Sequence, residues 1–223
     1  MLPRLVIAVA AGASLVAVAA ASHGAAPVLC MGLPATIVGT DGADRLAGTS
    51  RDDVIVGGAG DDRIAGGAGE DAVCGGDGAD AVTGGSGLDR LDGGAGKDRL
   101  DGGPGSDVLD GGEGSDTLSG GPGLDAAVFQ RAPKAVSVDL GRRRASGWGD
   151  DRLSGVETIF GSRHGDTLVG DGGPNHLAGQ GGNDRLSGSA GNDLLDGGGG
   201  SDRLDGGPGV DLCVGGESLA RCP

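Results

Sequence analysis

The sequence predicts an all-β fold in which nine-residue repeats coil into a parallel β-roll, a solenoid with two parallel sheets. An Asp recurs every nine residues through 39–128 and 161–214, with one Asn substitution. An aliphatic residue follows two positions later in nearly every repeat, and glycines precede the Asp. The repeat reads G-G-x-G-x-D-x-U-x, where U is apolar. Its glycines bend a loop, and its last three residues form a short strand with one inward side chain.

A single repeat buries one aliphatic side chain and therefore cannot form a stable sheet alone. Two successive repeats give one turn of about 18 residues, with a strand on each side of the roll. Odd repeats are expected to stack into one parallel sheet and even repeats into the other.

The register divides the chain into segments. We predict a signal peptide at 1–21, an N-terminal cap segment at 22–38, a first array at 39–128, an interruption at 129–160, a second array at 161–214 and a C-terminal cap at 215–223. The interruption contains one disguised repeat, in which Asp151 and Leu153 are in register, and then a six-residue rung at 155–160 that lacks the glycine loop.

The interruption also holds all the aromatic residues of the chain. Phe129, Trp148 and Phe160 lie within it, and the alternation of Val136, Val138 and Leu140 predicts a strand. We interpret this segment as a small packed bulge that joins the two arrays. A plug over exposed roll ends is favoured over a ligand-binding patch.

The N-terminal segment indicates export. Arg4 precedes an apolar run, and Ala19 and Ala21 fit a cleavage site before Ser22. The run is short and weak for a membrane anchor, so we expect a secreted, extracellular protein with a cleaved signal peptide.

The composition favours cations as partners. The formal net charge is −15, 53 residues are Gly, and only three are Phe or Trp. Because phosphate groups need Lys and Arg, this balance argues against nucleic acid and anionic membranes. We expect a monomer that does not insert into a membrane. The sequence does not indicate which protein or glycan partner the chain would bind.

The sixth position of each repeat is the candidate metal ligand, because it places one carboxylate on every rung. The candidates are Asp44, Asp53, Asp62, Asp71, Asp80, Asp89, Asp98, Asp107, Asp116, Asp125, Asp151, Asp166, Asn175, Asp184, Asp193, Asp202 and Asp211. The sites are not expected to be equal. Asn175 lacks the charge, while Arg51 and His164 replace the fourth-position glycine near the start of each array.

These repeats closely resemble the RTX family, the haemolysin-type calcium-binding repeats. Sixteen of the seventeen repeats carry Asp at the sixth position, and Val138-Asp139-Leu140 together with 153–157 resembles an interruption common in that family. The resemblance implies a right-handed parallel β-roll with several calcium ions in its turns. It also implies that each ion lies between loops stacked on the same side, held by Asp carboxylates and loop carbonyl oxygens.

Elementary energetics support a metal-dependent fold. Each turn buries only two aliphatic side chains, whereas ordering its glycine-rich backbone costs much more conformational entropy. Stacked carboxylates add repulsion. A hard dication with oxygen ligands would remove that repulsion and join successive loops.

The register also places the cysteines. Cys74 occupies an outward ninth position near Val54 and Val56, and the segment 28–31 could cover them by bonding Cys30 to Cys74. Cys213 and Cys222 both fall at inward eighth positions of adjacent rungs, where a disulfide would close the end of the roll. Free buried thiols are the alternative, less expected after export.

The leading function is a secreted calcium-binding protein without catalysis. The alternative is a rigid calcium-dependent spacer or adhesive protein of the cell surface or matrix, and a less favoured one is a non-catalytic remnant of an RTX enzyme or toxin. The chain has no H-E-x-x-H motif and no nucleophile elbow, and Gly96-Lys97 is followed by Asp98, so a phosphate loop is not supported. Outward Arg and Asp pairs, such as Arg99 and Asp101, are explained most simply by solvation, with a recognition surface as the alternative.

Overall fold

The structure, a computed structural model, describes residues 27–222. The predicted signal peptide at 1–21 lies outside these residues. The regular elements of 27–222 are all β-strands. In chain order they are β1 (Leu29–Cys30), β2 (Leu33–Pro34), β3 (Ile37–Val38), β4 (Arg45–Ala47), β5 (Val54–Ala59), β6 (Arg63–Ala68), β7 (Ala72–Asp77), β8 (Ala81–Ser86), β9 (Arg90–Gly96), β10 (Arg99–Asp101), β11 (Val108–Asp110), β12 (Glu113–Gly114), β13 (Thr117–Ser119), β14 (Ala126–Val128), β15 (Ser137–Asp139), β16 (Arg144–Ser146), β17 (Asp150–Ser154), β18 (Thr158–Phe160), β19 (Thr167–Val169), β20 (His176–Ala178), β21 (Arg185–Ser187), β22 (Leu194–Asp196), β23 (Arg203–Asp205), β24 (Leu212–Val214) and β25 (Ser218–Ala220).

Two long sheets form the roll, as the repeat predicts. Sheet 1 has twelve strands in the order β4-β6-β8-β10-β13-β17-β16-β15-β19-β21-β23-β25. Sheet 2 has eleven, in the order β3-β5-β7-β9-β11-β14-β18-β20-β22-β24, with β12 pairing beside β9. Odd repeats of the first array supply sheet 1 and even repeats supply sheet 2, so the prediction of alternating sheets is confirmed.

The core consists of the eighth-position residues, stacked one per rung. Leu46 pairs with Ile64 and Ile64 with Val82, each 18 residues further along the chain. The same holds in sheet 2 for Ile55, Val73 and Leu91, which are fully buried. The strict in-register pairing keeps every aliphatic side chain on the inside, because a shift by one residue would turn it outward.

The loops need glycine at the second and fourth positions. Gly76 has φ 116° and Gly78 has φ 139°, both in the left-handed region that glycine adopts without cost. A Cβ on Gly78 would also collide with the Gly60 carbonyl oxygen of the previous turn. Gln180 and Ser189 occupy the second position with φ 73° and 76°, so these two loops keep the same conformation at some cost in strain.

The interruption is built into the roll instead of bulging between two separate arrays. In sheet 2, β18 pairs in parallel with β14 and β20, so Ala127, Ile159 and Leu177 continue the inward column without a break. In sheet 1, β15 and β16 form an antiparallel hairpin between β17 and β19. The strand expected from the alternation at 136–140 is β15.

The aromatic residues of the interruption do separate tasks. Phe129 is buried in the core, whereas Phe160 faces outward and packs edge-to-face on His176 at 5.9 Å between ring centroids. Trp148 lies 5.7 Å from the guanidinium of Arg131. Arg131 in turn binds Asp92 at 2.6 Å and Asp110 at 2.9 Å on the outer face of sheet 2. This cluster ties the interruption to the first array.

Both expected cysteine pairs are present. Cys30, in the β1–β2 hairpin, is buried against Cys74 of β7, with 5.7 Å between the Cα atoms. Cys213 pairs with Cys222 at 5.8 Å between Cα atoms.

The predicted position of Cys222 is wrong. The step from Cys213 to the next inward position is six residues instead of nine, so Leu219, and not Cys222, lies in register beside Leu204. The chain then turns back after β25, which brings Cys222 to Cys213 without requiring the two facing sheets to approach.

Candidate metal centre

The sixth-position residues form two rows, one along each edge of the roll. Row 1 contains Asp44, Asp62, Asp80, Asp98, Asp116 and Asp151, and resumes after the hairpin with Asp166, Asp184 and Asp202. Row 2 contains Asp53, Asp71, Asp89, Asp107 and Asp125, and later Asn175, Asp193 and Asp211. The structure therefore places all seventeen predicted residues in the two rows of loops.

Each carboxylate joins its loop to the loop one turn earlier. The Asp80 main-chain N–H donates to Asp98 Oδ1 at 2.8 Å, and the Asp98 N–H donates to Asp116 Oδ1 at 2.9 Å. The Asp80 carbonyl accepts from the Arg99 N–H at 2.8 Å, which begins the next strand pairing. The sixth position thus connects the loop ladder to the sheet ladder.

The second carboxylate oxygen has no partner in most of these residues. Twelve Oδ2 atoms are buried without a hydrogen bond; they belong to Asp62, Asp71, Asp80, Asp89, Asp98, Asp107, Asp116, Asp125, Asp184, Asp193, Asp202 and Asp211. A buried, unpaired carboxylate oxygen is costly, and a cation is the partner that best offsets that cost.

The space around Oδ2 is kept open by the first-position glycine. A Cβ built on Gly93 would lie 2.6 Å from Asp98 Oδ2 and 2.5 Å from the carbonyl oxygen of Gly111 in the next turn. Gly93 does not have a positive φ, so its backbone conformation does not demand glycine. The repeat needs glycine here because any side chain would fill the gap between a carboxylate and a carbonyl oxygen.

This donor set fits a hard cation. Within residues 27–222, no group of three or more His, Cys, Asp or Glu side chains is close enough to hold a metal ion. An ion beside Asp98 Oδ2 would therefore take main-chain carbonyl oxygens for most of its ligands. Calcium accepts such mixtures of carboxylate and carbonyl oxygens in flexible geometry, whereas Mg²⁺ demands a stricter octahedron.

The loops at the start of each array are satisfied by the protein itself. Asp44 Oδ2 accepts from the Thr40 N–H at 2.6 Å and from the Thr40 hydroxyl at 2.9 Å, and Thr49 binds Asp53 Oδ2 in the same way. After the hairpin, the Ser162 N–H donates to Asp166 Oδ2 at 2.6 Å. A second-position hydroxyl residue thus replaces glycine where a row begins.

Asn175 differs from the mid-row residues, whereas Asp151 makes the same hydrogen bond as they do. Asn175 Oδ1 accepts from the Asp171 N–H at 2.8 Å, so a main-chain donor already fills the position of the orphaned oxygen. Asp151 Oδ1 accepts from the Asp116 N–H at 3.0 Å and ends the first part of row 1.

Sequence reasoning missed one member of row 2. The Glu157 carboxylate accepts the Asp125 N–H at 3.0 Å and takes the place of Asp in the short rung. The signal was present in the sequence, because Ile159 lies two positions later, at the spacing of every other rung. The missing glycine loop concealed it, and the longer Glu side chain spans the distance that the shorter loop leaves.

Burial raises the pKa of the mid-row carboxyl groups. Desolvation is the main cause, and neighbouring Asp charges add to it, while the hydrogen bond from the previous turn opposes it. The pKa rises to about 6 for Asp62, Asp71, Asp98 and Asp107, and to about 7 for Asp116. Without a cation, the mid-row carboxyl groups of the folded roll are therefore harder to ionise than free Asp side chains.

A family model for the RTX calcium-binding nonapeptide repeat, built of four copies, matches residues 38–73, 75–109, 92–126, 160–195 and 178–213. Together these segments cover more than half of the chain. The chain belongs to the RTX calcium-binding repeat family. The matched segments include both rows of loops on either side of the hairpin, so calcium binding is the property that the family and the orphaned oxygen atoms support together. No curated protein sequence matches this RTX chain at a significant level.

We expect Asp98→Asn to weaken calcium binding by about tenfold at its site, because the substitution keeps the acceptor for the Asp80 N–H and removes the ligand charge. In calcium-free buffer the same variant should be slightly more stable than the wild type, because it removes a buried unpaired charge. Asp44→Asn is the matched control, since Thr40 already satisfies its Oδ2. Isothermal titration with calcium measures the affinity of both variants. An equal loss of calcium affinity in Asp98→Asn and Asp44→Asn would contradict the assignment of the orphaned oxygen atoms.

The space beside Asp98 Oδ2 that Gly93 keeps open can be tested without changing any charge. Gly93→Ala should lower the calcium affinity and the stability of the calcium-loaded roll, because its methyl group enters the space beside Asp98 Oδ2. Gly172→Ala is the control, since a Cβ there meets nothing within 4 Å and its φ is not positive. Thermal unfolding in calcium compares the two. A loss of thermal stability for Gly172→Ala as large as that for Gly93→Ala would show that the general cost of replacing glycine, and not the space beside Asp98 Oδ2, decides the result.

The raised pKa values predict an acid-stabilised roll. A carboxyl group whose folded-state pKa exceeds its unfolded value of about 3.9 stabilises the fold below that value and loses this contribution as pH rises through the folded pKa. In calcium-free buffer, β content should therefore increase between pH 7.5 and pH 5, and calcium affinity should fall over the same interval because protons compete. Circular dichroism kept above the pI of about 4.3 measures the first effect. An unchanged spectrum across this range would refute it.

Proposed function

We propose that this chain is an exported protein whose β-roll folds as several calcium ions bind along its two rows of loops. The folded roll, and not a catalytic site, is what the protein supplies. The observation that carries this proposal is the set of twelve buried Oδ2 atoms without a partner, six in each row.

Calcium and folding are linked through these atoms. Each rung buries one aliphatic side chain but orders several glycines and brings a carboxylate out of water. A cation that binds the folded loops and not the unfolded chain stabilises the roll by mass action. The loops where a row begins need no ion, because Thr40, Thr49 and Ser162 already supply donors there.

Export is supported by independent features. The apolar N-terminal run with its small-residue cleavage site is typical of a signal peptide. The four cysteines lie as two bonded pairs, which fits an oxidising compartment. Outside the cell, calcium-binding modules typically have affinities of about 10⁻⁴–10⁻³ M, so the ion would be available to fold the chain after export.

A calcium-dependent rigid spacer is the second candidate function. It is favoured by the continuity of sheet 2 through the interruption, which makes the two arrays one rod instead of two hinged units. Twelve strands about 4.8 Å apart give a rod roughly 50 Å long.

In residues 27–222, no helix has the length and apolar character needed to cross a membrane.

We expect the chain without its signal peptide to be largely unfolded in chelator and to become compact and β-rich as calcium is added. Circular dichroism and small-angle X-ray scattering in the same titration measure secondary structure and size separately. Magnesium at equal concentration is the control and should produce little change, because it does not readily accept a mainly carbonyl site. A chain that is already compact and β-rich in chelator would overturn the proposal.

A further inference from the structure

One outer face of this acidic protein is rich in arginine. The seventh-position column of sheet 1 carries Arg45, Arg63, Arg99 and Arg152, and it continues onto β16 with Arg144. Beyond the hairpin, Arg185 and Arg203 form a second column on β21 and β23, which lies in line with Thr167 and Ser137 and is offset by two residues from Arg144. With Arg142 and Arg143 at the hairpin turn, these nine residues form what we call the arginine face. All nine are exposed.

The charge lies on one side only. The equivalent column of sheet 2 contains Val54, Ala72, Arg90, Val108 and Ala126, and therefore a single Arg. The chain has 17 Lys and Arg residues in total, so about half of them lie on the arginine face. Simple solvation of a rod would not require such a distribution.

Several of these arginines are direct neighbours of one another, although Arg144 also has Asp139 opposite it on its other side. Arg45 pairs with Arg63, Arg185 with Arg203, and Arg144 stands opposite Arg152. Like charges at directly opposed positions destabilise a sheet.

Nearby carboxylates do not compensate for this. Among the described residues, the ion pairs on this side of the roll involve Arg142 with Asp139 and Arg221 with Asp205, and none involves the seven column arginines. The Arg99–Asp101 and Arg203–Asp205 pairs expected from the sequence are therefore not formed as ion pairs. The column is left with unbalanced positive charge.

The hairpin of the interruption concentrates this charge. Arg142, Arg143, Arg144 and Arg152 line an open depression of about 340 Å³ together with Thr117 and Ser154. Arg143 has φ 57°, a conformation that glycine would adopt at no cost. The turn therefore places four exposed guanidinium groups around one depression.

We propose that the arginine face binds a linear acidic polysaccharide. Neighbouring strands lie about 4.8 Å apart, so the pairs Arg45–Arg63, Arg144–Arg152 and Arg185–Arg203 each present two guanidinium groups on adjacent strands, while Ala81 and Thr117 interrupt the first column. Guanidinium groups bind carboxylate and sulfate oxygens through paired hydrogen bonds. The neighbouring ninth-position residues Ala65, Thr83 and Ser119 are small or carry a hydroxyl group, which leaves room for a polymer beside the arginines, whereas Asp101 and Asp205 place a carboxylate in the same column.

Two other polyanions fit this face less well. The columns described carry no aromatic side chain on which the bases of a single-stranded nucleic acid could stack. They also carry no large apolar side chains that could enter a lipid surface. Pairs of arginines distributed along the length of the sheet are matched by a long polymer that carries negative charges at short intervals.

Calcium makes the interaction conditional. The net charge of −15 repels a polyanion, but sixteen of the 32 acidic residues are Asp at the sixth position of the loops. Since each calcium ion carries two positive charges, about eight bound ions would cancel the net charge and leave the arginine face dominant. This dependence rests on the proposed calcium-driven fold, whereas the face itself is a feature of the sheet.

The test measures binding of the calcium-loaded chain to immobilised heparin and hyaluronan, with neutral dextran as the blank. The face variant combines Arg99→Thr, Arg144→Thr and Arg152→Thr, because Thr117 and Thr167 already occupy such sites in sheet 1. The control variant removes the same charge elsewhere through Arg90→Thr, Lys134→Thr and Arg163→Thr. Circular dichroism in calcium establishes that each variant folds, and any failure to fold there concerns the proposed function and not the face.

We expect the face variant to bind at least about tenfold more weakly and to lower the salt dependence of log affinity by about three. The control variant should stay within about twofold of the wild type, and an Arg→Lys version of the face variant should recover part of the affinity. Three results would overturn the proposal: no binding of the folded wild type to either glycan, an equal loss in both variants, or tighter binding to duplex DNA or to phosphatidylserine vesicles than to the glycans.

Discussion

The mid-row loops of the roll depend on an Asp carboxylate that accepts a hydrogen bond through Oδ1 and has no hydrogen-bond donor at Oδ2. Asp98 Oδ1 accepts the Asp80 N–H and so fixes the distance between successive loops, while Oδ2 stays buried without a donor. The same hydrogen bond that aligns the turns therefore creates a demand for a cation. Because the pattern recurs six times in each row, the proposed calcium-driven folding would act along the whole length of the solenoid.

The glycines of the repeat serve two different requirements of this arrangement. Those at the second and fourth positions adopt positive φ and let the loops stack, as at Gly76 and Gly78. The first-position glycine has ordinary φ and is needed because a side chain would occupy the space beside Oδ2, as at Gly93. Where Thr40, Thr49 or Ser162 takes the second position, the protein supplies its own donor, and the row begins without a cation.

The interruption forms a hairpin in sheet 1 and leaves sheet 2 continuous. It reverses the chain within sheet 1 while sheet 2 continues unbroken, so the rod gains three consecutive arginines without a break in its core. Row 1 then starts afresh with a hydroxyl cap at Ser162, and row 2 crosses the same point through Glu157. Acidic edges and a basic face are thereby separated on one narrow body, and the proposed binding of a polyanion to the arginine face depends on that separation.

The nine-residue period by itself determined the class of fold, the inward column of aliphatic residues and the identity of nearly all loop carboxylates, because a strict period leaves one way to stack identical units. Both cysteine pairings also followed from the register, although Leu219 and not Cys222 takes the last inward place. Only the tertiary structure decided which carboxylate oxygens lack partners, since that depends on donors 4 residues earlier in the same loop and 18 residues earlier in the previous turn. It also decided the place of Glu157 and the alignment of Arg144 with Arg152, because both arise where the chain leaves its period and long-range pairing alone sets the register.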